Sequence, residues 1–202
     1  MEFDVVAQKK IMMIAWVCGI LASVVVLSCV LIAVSRSPSF SWTNNMLSDL
    51  GDSTKPAVSG NGADSTFNSG LIIGGILMIV FAVGRLVVGG GVLQRLGTIL
   101  LLLGAIALAG IGVFTQSAGD IHMYVAGAFF GLCALSFFLI GGGLILAKSK
   151  KFGLLTVLAG FLVGIPWALV SVYSGWAIPE TLSAGVIFIW VVVEGIRLCI
   201  SK

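Results

Sequence analysis

The chain has 202 residues, of which 59% are hydrophobic and only 9% charged, with a formal net charge of +3. A mean hydropathy of +1.18 excludes an ordinary soluble domain, in which about a quarter of residues are charged. The small basic surplus follows the membrane topology described next and suggests no nucleic-acid partner.

Six mostly apolar runs, at 11–35, 69–88, 96–116, 123–147, 152–173 and 182–200, are each long enough to cross a ~30 Å hydrocarbon core as a helix. Period-2 alternation is absent, which argues against a transmembrane β-barrel. The expected fold is therefore all-α: a polytopic membrane protein, one six-helix transmembrane bundle spanning residues 1–202. Nine of the eleven basic residues (Lys9, Lys10, Arg85, Arg95, Lys148, Lys150, Lys151, Arg197 and Lys202) fall on the side that holds both termini; Arg36 and Lys55 fall on the other. Such a bias places the termini in the cytoplasm and the 36–68 loop outside the cell membrane.

The first run exceeds the 7–15-residue apolar core of a signal peptide and no A-x-A-like site follows it, so it reads as a span. Cys18, Cys29, Cys133 and Cys199 lie inside runs without a C-x-x-C spacing, and read as small apolar packers.

The connection at 36–68 is the longest, and it carries "SWTNNMLSDLGDS". At ~100° per residue, Trp42, Met46, Leu47 and Leu50 share one face of a helix, with Asn45 and Asp52 opposite. With Ser41 as N-cap and Gly51 as stop, residues 41–50 are expected to form a short amphipathic helix lying on the outer membrane surface, Trp42 toward lipid. Asp49 stands at the border of its wet face, beside Trp42. The following "STKPAVSGNGADST" reads as a flexible strap.

Asn68, in "FNSG", stands at the mouth of the second run, where it also suits a cap. "GGGVLQRLGTILLLLGAIALAG" at 89–110 aligns with "GGGLILAKSKKFGLLTVLAG" at 141–160. Each is a triple glycine, a basic turn and a Leu/Gly-rich helix, the pattern of a duplicated hairpin. Gly127-xxx-Gly131 and Gly160-xxx-Gly164 have the spacing of close helix packing in lipid.

"TQSAGDIHMY" at 115–124 holds Asp120 and His122, the only histidine. Asp120 suits an N-cap, and the dipole of a helix start favours the neutral ring of His122. In "SGWAIPETL" at 174–182, Pro179 and Glu180 suit a first helical turn. Each residue thus has a local structural reading. Jointly, Ser48, Asp49, Asn68, Asp120, His122 and Glu180 gather at the outer mouth of a bundle whose helices pack 8–10 Å apart. They form the candidate ligand-binding set, and Asp49 and His122, expected to face one polar cavity, are the candidate catalytic pair. At the other end Arg85 and Glu194 enter the spans, and Glu194 pairs with Arg197 three residues on.

"MLSDLGD", "FNSG", "D-I-H" and "AIPE…W", in this order from Ser41 to about Trp190, resemble the prokaryotic six-helix family called domain of unknown function nine-nine-eight. The resemblance supports the six-helix fold and draws attention to Ser48, Asp49, Asn68, His122 and Glu180. It implies no activity, and the 53–66 segment departs from the family's shorter loop.

The leading functional expectation is a polar vestibule that binds a lipid headgroup or other amphiphile, with membrane lipids as partners. Hydrolysis would need Asp49, Asp120, His122 and Glu180 as bases or ligands, with Ser48 and Asn68 as hydrogen-bonding groups. One histidine is a poor zinc set and excludes bis-histidine haem, so no metal or cofactor is expected. The alternatives are an accessory or assembly subunit of a membrane complex, whose partners are other membrane-protein subunits, and a small-solute transporter. Transport draws its support from Pro166, placed to break the fifth span near its middle.

Overall fold

A computed structural model describes residues 5–55, 61–168, 170 and 174–200. Part of the 53–66 strap, the end of the fifth apolar run and Lys202 lie outside the described residues. Six helices carry the fold: α1 (Val5–Ser35), α2 (Ala63–Val88), α3 (Val92–Val113), α4 (Asp120–Leu146), α5 (Lys150–Ala168) and α6 (Ala177–Ile200). All six are long and apolar enough to cross a membrane, and the described residues contain no strand. Helices suit a bilayer because each closes its own backbone hydrogen bonds where no water is available.

Each helix packs on its neighbours in sequence, and α6 closes against both α5 and α1. The result is a ring of antiparallel helices whose centre is filled by Phe81, Phe129, Phe137, Met78, Leu101 and Ile140, all buried. Lipid tails are as apolar as these side chains, so close packing holds the ring together. Gly75 shows how tight it is: a Cβ there would lie 2.6 Å from the Ala109 nitrogen of α3.

Helix ends depart from the apolar runs because polar residues extend them. α1 begins at Val5 and includes Lys9 and Lys10; α2 begins at Ala63, so Asn68 lies inside the helix and does not cap it. α5 continues through Pro166 to Ala168, so the proline does not break the span at its middle. The two triple glycines also differ. Gly89 and Gly90 take φ of +90° and +137° and end α2, whereas Gly141–Gly143 sit inside α4, where Gly141 packs against Gly153 of α5. The proposed repeat therefore has no structural equivalence at its signature glycines.

The expected helix over 41–50 does not form as such. Residues 42–44 make a turn, and the loop's short helix is a 3-10 helix over Leu47–Gly51 with every residue buried. It does not lie flat on a surface; it packs into the ring's mouth against α1, α2 and α6. Trp42 keeps the expected exposure, edge-on to Phe40. Backbone hydrogen bonds explain the difference. The Gly175 and Ala177 amides donate to the Thr43 and Asn45 carbonyls at 2.8 and 3.0 Å, which draws the segment onto the start of α6.

Candidate functional site

The Leu47–Gly51 segment acts as a lid, stitched to the ring by groups from separate elements. The Leu47 amide donates to a Glu180 carboxylate oxygen at 2.5 Å, Ser48 Oγ donates to Gln116 Oε1 at 2.9 Å, and Asn68 Nδ2 donates to the Gly51 carbonyl at 2.9 Å. Gln116 belongs to a second 3-10 turn, Gln116–Ala118, between α3 and α4. Gly51 suits this fit, since a Cβ there would crowd Asn68 Oδ1 and the Phe67 ring.

Beneath the lid lies a cavity of about 60 Å³ whose polar lining is Ser48, His122 and Glu180. Its other walls are apolar and come from α1, α2, α3, α4 and α6, among them Val30, Phe67, Leu108 and Phe129. The space matches a pair of water molecules or one small polar group. His122 is 2% exposed, and its Nδ1 lies 2.7 Å from the Phe114 carbonyl. A carbonyl only accepts, so Nδ1 donates this bond and Nε2 is left for another partner. Glu180 is buried, and among the described residues it has no cationic partner. Its carboxylate is held by the lid's own backbone.

The cavity thus unites three of the six candidate residues. Asp49 is turned away from it: one carboxylate oxygen accepts from the Met46 amide at 3.0 Å and Asn45 Nδ2 at 3.1 Å, and the other lies 3.5 Å from Lys55 Nζ. It shapes the lid from outside, and the expected Asp49–His122 cavity is not shared by both. The physical reason is the tighter 3-10 winding, which rotates Asp49 relative to an α-helical spacing. Asn68 holds the lid without lining the cavity. Asp120 opens α4 as an exposed first-turn residue, one position after the Gly119 N-cap. Among the described residues, no group of three or more His, Cys, Asp or Glu side chains is placed to hold a metal ion.

The opposite end of the ring holds a cluster that sequence reasoning captured only in part. Glu194, fully buried, accepts from Arg197 at 2.6 and 3.0 Å, the expected pairing along α6, and from Arg85 Nε at 2.9 Å. Arg85, 3% exposed, also donates to Thr98 Oγ1 and to the Gln94 carbonyl. Gln94 Nε2 reaches the Gly143 carbonyl of α4 at 3.4 Å, and the Arg197 guanidinium lies over the Phe152 ring of α5 at 4.9 Å. Five helices are therefore tied together at this end. The legible signal was a charge of each sign within two distant apolar runs; their register was not readable.

The family model described as "Protein of unknown function (DUF998)" matches residues 20–197. No curated protein and no solved structure matches the chain. The match covers most of the sequence, lid and both polar clusters included, and the chain belongs to this family.

Proposed function

We propose that this family member binds the polar end of a membrane amphiphile in the cavity beneath the Leu47–Gly51 lid. One observation carries the reading: Ser48, His122 and Glu180 share a cavity whose remaining walls are apolar. Buried ionisable side chains within a membrane bundle are costly to maintain and mark functional positions by default. A hydroxyl, an imidazole and a carboxylate together offer both donors and acceptors to a small head.

The membrane is the cell membrane, with the lid at its outer leaflet. Support comes from the basic residues Arg85, Arg95, Lys148, Lys150, Lys151 and Arg197, which crowd the end of the ring opposite the lid. Positively charged connections stay in the cytoplasm.

Native mass spectrometry of the purified full chain, released from detergent micelles, tests the binding. The expected result is a bound amphiphile retained by the wild type and lost in His122→Ala and Glu180→Leu. A wild-type spectrum with no species beyond exchangeable detergent and bulk lipid overturns the proposal.

A further inference from the structure

A second space adjoins the lid cavity. A groove of about 370 Å³ runs between α1 and α6, and Val26, Val30, Leu47, Ala184 and Phe188 line both the groove and the cavity. A single layer of side chains is therefore their common wall. The groove opens outward between residues that face the surroundings of the ring: Leu27 is 59% exposed and Ile189 67%. Its two hydroxyls are already engaged, Ser23 with the Gly19 carbonyl and Thr181 with the Ala177 carbonyl, so its surface is effectively apolar. Within a bilayer such a groove is filled by hydrocarbon. At roughly the ~30 Å³ a water molecule occupies, it holds on the order of ten methylene-sized groups.

The cavity's chemistry narrows the head. Phosphate and carboxylate heads are recognised by Arg, Lys or free backbone amides. Among the described residues no Lys or Arg lines the cavity, and the Leu47 amide is committed to Glu180. The groups the cavity offers are the Glu180 carboxyl, the Ser48 hydroxyl and the His122 ring, and the Glu180 and Ser48 oxygens accept whether or not the carboxyl carries a proton. They suit a head that donates hydrogen bonds and fits about 60 Å³.

We infer that the ligand is a single-chain amphiphile ending in a hydroxyl or a primary amine, its chain lying in the α1/α6 groove and its head entering the cavity sideways past Ala184 and Phe188. The inference rests on the amphiphile-binding reading above and adds the route and the head class.

The test uses the full chain in nanodiscs with three photoreactive probes: hexadecanol, hexadecylamine and hexadecyl phosphate, each carrying a diazirine near the head. Cross-linked peptides are identified by mass spectrometry. Gly185 lines the groove, and a Cβ there meets nothing within 4 Å, so Gly185→Leu fills the groove without a backbone clash. Gly131, equally open in a separate groove between α4 and α5, supplies the control Gly131→Leu. Thermal melting verifies that both variants fold.

The alcohol or the amine should label the stretch around Ser48 and His122, and whichever does so identifies the head. Gly185→Leu should abolish that labelling, because the added side chain takes the space the hydrocarbon chain would occupy. Gly131→Leu should leave it unchanged. Equal labelling by hexadecyl phosphate overturns the head class. Cavity labelling that survives Gly185→Leu overturns the lateral route while leaving amphiphile binding standing. Cavity labelling by none of the probes removes both readings.

Discussion

The Glu180 carboxylate accepts a 2.5 Å hydrogen bond from the Leu47 amide across 133 positions of the chain. This bond joins the first turn of α6 to the first residue of the lid, and it is buried at both ends. A backbone amide stranded there without an acceptor costs about 1–3 kcal/mol. The lid's position therefore depends on a side chain that also lines the cavity.

From this follows the first prediction. Glu180→Leu should loosen the lid and accelerate hydrogen exchange at the Leu47 amide by about 5- to 150-fold, the range that cost implies. Glu180→Gln keeps an oxygen acceptor and should exchange close to the wild-type rate. Equal protection in Glu180→Leu and wild type would show that the bond does not hold the lid.

At the other end of the ring, Glu194→Ala leaves the Arg85 guanidinium buried without its carboxylate. Breaking a buried pair on one side costs about 3–5 kcal/mol, whereas replacing both partners by apolar residues is often close to neutral. The double variant Arg85→Leu/Glu194→Leu should accordingly melt nearer to the wild type than Glu194→Ala does. Arg197 is 25% exposed and can turn outward when Glu194 is gone. Thermal unfolding in detergent compares the three, and a double variant less stable than the single change is the outcome that would refute this account.

Packing offers a contrast between two glycines. Gly75→Ala places a Cβ 2.6 Å from the Ala109 backbone nitrogen, an overpacking that costs about 1–3 kcal/mol. Gly127→Ala meets nothing within 4 Å and should be neutral or slightly stabilising, since alanine is the better helix former. Melting temperatures of the two variants should differ in that order, and the reverse order contradicts the tight α2/α3 contact.

Membrane orientation is open to direct chemical labelling. In a background without native cysteines, an impermeant maleimide should label Ser53→Cys on intact cells, and Lys150→Cys only after the cells are broken. Ser53 follows the lid and Lys150 opens α5 at the opposite end, both exposed. Inverted labelling would place the lid in the cytoplasm.

The apolar runs by themselves determined the class: a chain with six such lengths can satisfy its backbone in lipid only as six helices. They also determined which end collects basic charge and, through i,i+3 spacing, the Glu194–Arg197 pair. Local periodicity failed at the lid, because a helical wheel presumes ~100° per residue and a solvent boundary. Residues 43–51 instead answer to partners in the 116, 175–180 and 68 regions. Those partners pulled the segment into a 3-10 winding inside the mouth, separating Asp49 from His122 and bringing Ser48 to His122 and Glu180. The same holds for Arg85 and Glu194, 109 positions apart. Sequence spacing carries a side chain's direction only within one helix; which helix faces it is decided by the closure of α6 onto α1, a contact between the two ends of the chain that no local pattern encodes.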